Sequence, residues 1–89
     1  QDTFGRLGGE EFGLLLPETP LDKAMVVAER IRLVWEASPV NLDGKLIRST
    51  MSIGVAEAVP SDQNIEDLLR RADRMLYRAK EYGRNRVEA

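Results

Sequence analysis

An 89-residue chain with 43% apolar and 31% charged residues has the length and composition of one small globular domain. Its 13 basic and 15 acidic residues give a net charge of −2, which excludes a general attraction to a nucleic acid polymer or to an anionic membrane surface. The chain contains no cysteine and no histidine. Disulfides, thiolate metal sites and Ser-His or Cys-His catalysis are therefore excluded, and carboxylates remain as candidate metal ligands and proton-transfer groups.

The chain begins with a predicted strand–turn–strand unit. Residues 1–7 are partly apolar, and the apolar run 12–16 ends at Pro17, which predicts two strands. Between them, Gly8 and Gly9 fit a hairpin turn, because residues without side chains permit a tight turn and let a ligand approach the backbone. Glycine pairs are frequent in hairpins, so this pair alone favours a turn more than a function.

Two carboxylates, Glu10 and Glu11, follow the glycine pair directly. Carboxylate oxygens are the hard ligands that suit Mg²⁺, and Mg²⁺ accompanies polyphosphates. Neighbouring residues of a strand point to opposite faces, so the two side chains share one role only if the turn bends the chain. Two interpretations stay open at this point: a metal and phosphate site, or two solvated charges at the edge of a hairpin.

The first helix is predicted to begin with Thr19 as its N-cap and Pro20 in its first position, and to end near Ala37, before Pro39. Apolar residues that recur at three- and four-residue spacing predict a stripe facing the core, formed by Leu21, Ala24, Ala28, Ile31 and Trp35.

A second hairpin is predicted after this helix. Asp43-Gly44 is a strong turn signal between residues 40–42 and the long stretch 45–59, which is predicted as strand. Within that stretch, Gly54 indicates a bulge or the close approach of another backbone segment.

The second helix is predicted to begin at Asn64, a good N-cap, and to stop at Gly83. Residues 85–87 are compatible with a short last strand. The element order predicts an α+β fold, in which two helices pack on a mixed, mostly antiparallel sheet within a single domain over residues 1–89.

Two basic residues, Lys80 and Arg84, flank the end of the second helix. A cation in the last turn complements the helix dipole, which is a sufficient structural explanation for Lys80. Arg84 lies beyond Gly83 and is explained less well in this way. The spacing therefore also favours a functional interpretation, in which the two cations hold terminal phosphates.

Taken in order, these motifs resemble the C-terminal half of a GGDEF domain, the catalytic domain of diguanylate cyclases. The matching segments are residues 6–12, 16–17, 28–32, 52–55, 69–73, 77–80 and 83–85. The resemblance implies a nucleotide-cyclase or ferredoxin-like half-domain. It also implies a homodimer in which two protomers, each holding one GTP, face each other and condense the two nucleotides into cyclic di-GMP.

The resemblance further implies roles for the candidate residues. Glu10 matches the catalytic acidic residue that binds Mg²⁺ (or Mn²⁺) and helps activate the attacking hydroxyl, and Glu11 matches the next acidic position near the metals. Substrate-binding roles are implied for Gly8, Gly9, Lys80 and Arg84.

Product inhibition is also implied by the family pattern. Asp2 falls where the aspartate of an Arg-x-x-Asp inhibitory site is found, and the arginine of that site would lie two positions before Gln1. Arg30 matches a secondary inhibitory arginine that binds cyclic di-GMP. An exposed helix charge explains Arg30 equally well.

A complete GGDEF domain is roughly twice as long as this chain. In the family, the other half carries the first metal-binding aspartate and the residues that read guanine, so we expect the 89-residue chain alone to lack cyclase activity. Open sheet edges would favour dimerisation or strand exchange of the chain alone. Two alternatives remain at this stage: a non-catalytic regulatory module that binds GTP or cyclic di-GMP, and a structural interaction domain.

No apolar run approaches membrane-spanning length and no signal peptide is recognised, so direct membrane contact is not expected and the cytoplasm is the expected compartment. A membrane anchor in another segment of a longer protein is compatible with this expectation.

Overall fold

The structure is a computed structural model that describes residues 2–7 and 13–17 by their backbone and residues 19–89 with their side chains. The elements in these residues are β1 (Asp2–Leu7), β2 (Gly13–Pro17), α1 (Leu21–Glu36), β3 (Val40–Leu42), β4 (Lys45–Ile47), β5 (Ile53–Glu57), α2 (Ile65–Glu81) and β6 (Val87–Glu88). They form a four-stranded sheet in the order β2-β1-β5-β6 and a two-stranded sheet of β3 and β4.

The four-stranded sheet is mixed and mostly antiparallel, as predicted. β1 pairs antiparallel with both β2 and β5, whereas β5 pairs parallel with β6. The parallel pair is joined by α2, which makes β5, α2 and β6 a β-α-β crossover. The predicted α+β fold is confirmed.

β5 lies between the two helices and is buried on both sides. Ile53 and Val55 belong to one buried cluster with α1, whereas Ala56 packs against α2 in a second cluster. Alternate residues of a strand point to opposite faces, so the two helices cover opposite faces of the sheet. This arrangement explains why β5 is almost uninterrupted apolar sequence instead of an alternating pattern.

Gly54 sets the distance between β5 and α2. A Cβ atom at this position would overlap the backbone N of Leu76 and the carbonyl O of Ala72, and it would stand 2.8 Å from the Cα of Leu76. The helix backbone therefore lies directly on the strand, and only a residue without a side chain fits between them. The predicted close approach of another backbone segment at Gly54 is confirmed.

Of the four helix ends predicted from the sequence, the structure confirms three and contradicts one. α1 begins at Leu21 with Pro20 in the N-cap position, so the prediction of Thr19 as the N-cap was wrong. The reason is that the first helical hydrogen bond, from Ala24 N, goes to the carbonyl of Pro20 (3.0 Å). The predicted end of α1 near Ala37, the Asn64 cap of α2 and the stop at Gly83 are confirmed.

The stretch 45–59 is not one strand, contrary to the prediction. It is divided into β4 and β5, and residues 48–52 between them form no regular structure. β4 pairs with β3, and the indole Nε1 of Trp35 at the end of α1 donates to Ser49 Oγ in the intervening segment (2.8 Å). Trp35 is 43% exposed, so it packs at the helix end and not in the core.

A second contact fixes α2 to the far end of β5. The Arg71 guanidinium donates to the carbonyl of Glu57 (2.7 Å) and to Asp62 Oδ2 (2.9 Å), and that oxygen also accepts from Val59 N (2.9 Å). These hydrogen bonds, of which the one from Arg71 has the largest effect, lower the pKa of Asp62 from 3.8 to about 2.

None of the helices within residues 19–89 combines the length and the apolar character that a membrane span requires.

Gly54→Ala is expected to destabilise the fold by more than about 2 kcal/mol, because the added methyl group forces the α2 backbone away from β5. Gly44→Ala is the matched control: Gly44 has a φ of +80°, but no atom lies within 4 Å of the place that its added methyl group would take, so only the backbone preference is lost, at about 1 kcal/mol. Urea unfolding of both variants measures the difference, and equal losses would contradict this account of Gly54.

The Asp62–Arg71 contact is expected to make stability depend on pH in the acidic range. Because the folded pKa of Asp62 is lower than its ordinary value of 3.8, its contribution is complete above that value and is lost as the pH falls towards about 2. Urea unfolding at a series of pH values should show Asp62→Asn destabilised relative to the wild type at neutral pH, with the difference shrinking below about pH 4. A difference that stays constant across the series would argue against an ionic contribution.

Candidate functional site

Four strand ends meet at one end of the sheet. Leu7, the last residue of β1, pairs with Ile53, the first residue of β5, which in turn pairs with Val87, the first residue of β6. Arg6 pairs with Gly13, the first residue of β2. We call this the hairpin end of the sheet, because β1 ends there and β2 begins there.

α2 runs back towards the hairpin end. The helix runs antiparallel to β5. Arg71 contacts Glu57 at the far end of β5, whereas Leu76, further along the helix, lies over Gly54 near the start of the strand. The C-terminal end of α2 therefore lies at the hairpin end. The chain then enters β6 from this same end of the sheet.

The loop after α2 turns sharply. Arg84 N donates to the carbonyl of Ala79 (2.8 Å), and Tyr82 N donates to the carbonyl of Arg78 (2.9 Å). Gly83, with a φ of +119°, supplies the left-handed conformation that this type of helix end requires. The turn places Arg84 beyond the helix, between the last turn of α2 and the start of β6.

Lys80 and Arg84 are the two candidate phosphate-binding cations on this side. Lys80 is half-buried in the last turn of α2, and Arg84 is exposed. Within residues 19–89, neither side chain has an ion-pair partner. Two earlier arginines of the same helix differ in this respect, because Arg70 pairs with Asp67 (3.4 Å) and Arg71 pairs with Asp62. The positive charge at the C-terminal end of α2 is thus available to an anion.

The acidic motif lies outside the described residues. Gly8, Gly9, Glu10 and Glu11 belong to the segment that joins β1 to β2, and only the strand ends on either side are described. Their roles therefore stay predictions. Among the residues described with side chains, no group of three or more acidic residues is arranged to hold a metal ion.

The two candidate inhibitory residues also stay predictions. Asp2 begins β1 opposite Pro17, so its backbone lies at the other end of the sheet from the hairpin end. Arg30 is exposed on α1, beside a groove that includes Glu29 and Val87.

Sequence reasoning assigned no role to Arg32 and Asn85, which the structure joins. Arg32 Nη1 donates to Asn85 Oδ1 (2.6 Å) across 53 residues of sequence. Arg32 is itself held by Glu29, and the Arg32 guanidinium lowers the pKa of that carboxyl through this hydrogen bond. The one signal in the sequence was an asparagine shortly after the glycine stop of a helix, since asparagine tolerates left-handed backbone conformations.

Comparison with known proteins identifies relatives over nearly the whole chain. The family model described as "Diguanylate cyclase, GGDEF domain" matches residues 1–86. Diguanylate cyclase DgcM of Escherichia coli K12 is 51% identical over 88 residues, which are 99% of this chain and 20% of that protein.

Solved structures give the same result for the fold. The GGDEF domain of DgcB from Caulobacter crescentus, in complex with c-di-GMP, matches with a TM-score of 0.83 and 32% identity, over 92% of this chain and 48% of that one. The active GGEEF domain of a diguanylate cyclase from Vibrio cholerae matches with a TM-score of 0.78 and 35% identity, over 99% of this chain and 55% of that one. The chain thus spans about half of each solved chain.

Proposed function

We propose, since this chain belongs to the GGDEF family of diguanylate cyclase domains, that it forms the second half of a catalytic domain that condenses two molecules of GTP into cyclic di-GMP. Relatives named as diguanylate cyclases match 97 to 99% of the chain, which favours an enzyme over a purely structural domain. The chain spans only 20% of DgcM, and the activity is proposed for a longer protein that carries this segment.

One observation carries the proposal. The strand ends that flank residues 8–12 and the C-terminal end of α2 lie at the same end of the sheet. The acidic pair Glu10 and Glu11 follows the first of these strand ends closely in sequence, and Lys80 and Arg84 lie at the end of α2. This common location supports the idea that both groups act on one nucleotide triphosphate.

The proposed reaction is a phosphoryl transfer. The 3′-hydroxyl of one GTP attacks the α-phosphorus of the other, a new P–O bond forms, and the bond to the β-phosphate breaks to release pyrophosphate. The 3′-hydroxyl of the second nucleotide then attacks the α-phosphorus of the first in the same way, which closes the ring and releases the second pyrophosphate. Negative charge develops on the leaving pyrophosphate, so cations on the terminal phosphates stabilise the transition state as well as the bound substrate. We assign this role to Lys80 and Arg84, and proton acceptance from the attacking hydroxyl to Glu10.

Mg²⁺ or Mn²⁺ fits the donor chemistry of the acidic pair. Glu10 and Glu11 would offer the carboxylate oxygens that these ions prefer, and the bound ion would neutralise phosphate charge and polarise the reacting phosphoryl group. Two carboxylates do not fill an octahedral shell, so further ligands must come from the phosphates, from water or from another segment of the protein.

A homodimer follows from the stoichiometry of the proposal. Each domain binds one GTP, and the two sites must face each other for the two attacks to occur. We also propose that cyclic di-GMP acts as an inhibitor at Asp2 and Arg30. The proposed location is the cytoplasm, where GTP is abundant.

Glu10→Ala in the full-length protein is expected to lower cyclic di-GMP formation from GTP and Mg²⁺ by at least about 100-fold, because a metal ligand and a proton acceptor are lost together. The product is measured by chromatography, and circular dichroism checks that the variant is folded. Unchanged turnover would contradict the catalytic role. A wild type that binds GTP without turning it over would favour the alternative, a non-catalytic regulatory module.

Lys80→Ala and Arg84→Ala are each expected to reduce kcat/KM for GTP by about 10- to 100-fold, the loss of one charge-assisted contact with phosphate. Arg74→Ala is the matched control, since Arg74 is an exposed arginine of the same helix that lies away from its C-terminal end. Steady-state kinetics of the three variants measures the effect. If Arg74→Ala reduced kcat/KM as much as the other two, the general charge of the helix and not a phosphate contact would be responsible.

A further inference from the structure

The loop between α2 and β6 has an unusual backbone. Gly83, Arg84 and Asn85 follow one another with φ values of +119°, +63° and +48°. Glycine adopts such conformations freely and asparagine tolerates them, but arginine with its Cβ and long side chain disfavours them. Contacts from outside the loop must therefore hold Arg84 in this conformation.

Asn85 provides those contacts through all four of its polar groups. Its backbone N–H donates to Ser52 Oγ (3.2 Å), and its side-chain Nδ2 donates to Glu36 Oε2 (2.5 Å). Its Oδ1 accepts from Arg32 Nη1 (2.6 Å), and the same nitrogen lies 3.4 Å from the carbonyl oxygen of Asn85. A primary amide is suited to this position because it offers a donor and an acceptor side by side.

Arg32 is fixed in turn by its own helix. Its Nε donates to both carboxylate oxygens of Glu29 (3.1 and 3.0 Å), and its Nη1 lies 3.9 Å from Glu36 Oε2. The Arg32 side chain is only 13% exposed, whereas those of Glu29 and Glu36 are about half exposed. The guanidinium is therefore a largely buried link between α1 and the loop, and Glu29 and Glu36 of α1 compensate its charge.

Arg84 directly precedes Asn85, the residue that Arg32 contacts. Its backbone is held on one side by the bond to Ala79 and on the other by Asn85, while its side chain is exposed and has no ion-pair partner within residues 19–89. A fixed backbone with an uncommitted cation is what a binding site needs, because little order has to be created when an anion arrives.

We infer that Asn85 and Arg32 are positioning residues for Arg84, and that they connect α1 to the terminal phosphates of GTP. The inference rests on the proposed function. It adds that phosphate binding by Arg84 depends on a hydrogen-bonded network that reaches α1, on the face of the sheet opposite to α2. Asn85 and Arg32 are not expected to touch the nucleotide.

The test is a double-mutant cycle in the full-length protein with GTP as substrate. Asn85→Ala is expected to reduce kcat/KM about 10-fold, the size of one lost charge-assisted contact. In an Arg84→Ala background the same change should reduce kcat/KM by less than about twofold, because nothing remains to be positioned. Its effect on Tm should be equal in both backgrounds. A merely structural role would instead lower kcat/KM by the same factor in both.

A rescue experiment tests the hydrogen-bonding pattern itself. Asn85→Asp keeps the acceptor for Arg32 but sets a carboxylate against Glu36, so activity should fall as in Asn85→Ala. Adding Glu36→Gln restores a donor–acceptor pair and should recover most of the activity. If Asn85→Ala folds poorly, this pair of variants supplies the test, and absence of rescue would overturn the inference.

Two comparisons separate failure of this inference from failure of the proposed function. Asn41→Ala, which removes the amide that accepts from Gly44 N in the β3–β4 turn (3.1 Å), is the matched asparagine control and should leave kcat/KM unchanged. If Arg84→Ala lowers kcat/KM but the effects of Asn85→Ala and Arg84→Ala multiply, the positioning role is wrong and the proposed function stands. If Arg84→Ala has no effect, the phosphate role of Arg84 and the positioning role are both wrong, whereas loss of activity in Glu10→Ala would still support the proposed function.

Discussion

The direct contact between the α2 backbone and β5 is the constraint on which the rest of the structure depends. At Gly54 the strand and the helix approach so closely that no side chain fits between them. The helix is 17 residues long, and Arg71, near its middle, is held by a second contact with the carbonyl of Glu57 at the far end of β5. Two fixed points along one rigid rod determine where its C-terminal end lies, and with it Lys80 and Arg84.

At the C-terminal end of α2, the loop backbone is fixed but the side chain of Arg84 is left available to a ligand. The loop after α2 is hydrogen-bonded to the helix and to Ser52 through its backbone and to α1 through the Asn85 side chain, whereas the side chain of Arg84 has no ion-pair partner within residues 19–89. Preorganised charge is effective in phosphoryl transfer because no reorganisation is required while charge develops. The unfavourable backbone of Arg84 is consistent with this division, since strained residues cluster where surrounding contacts define a site.

Local patterns in the sequence predicted most of the fold. The spacing of apolar residues identified both helices, Asn64 and Gly83 marked the ends of α2, and Gly54 indicated the close backbone contact. Each of these features depends on residues within one or two helical turns of each other, or on a property of a single residue. The predicted position of the α1 cap was wrong by one residue, because the first helical hydrogen bond, from Ala24 N, goes to the carbonyl of Pro20.

The long-range features could not be read in the same way. The division of residues 45–59 into two strands follows from pairing with different partners, and no local pattern reports which partner a strand will find. The contact between Arg32 and Asn85 spans 53 residues, and each residue alone resembles an ordinary surface side chain. For the acidic motif at residues 8–12, the resemblance to the family remains the basis of the assignment.

The most direct test of the account is a distance between the bound metal and each end of α2. The chain has no cysteine, so Glu81→Cys and Glu66→Cys each add one attachment site for a nitroxide within this segment, at positions about 22 Å apart along the helix axis. Pulsed electron paramagnetic resonance on the full-length protein with Mn²⁺ and a non-hydrolysable GTP analogue then measures both distances. We expect the metal to lie nearer to the label at position 81 by more than about 10 Å. A metal that lies nearer to position 66 would contradict the common site of acidic motif and helix end.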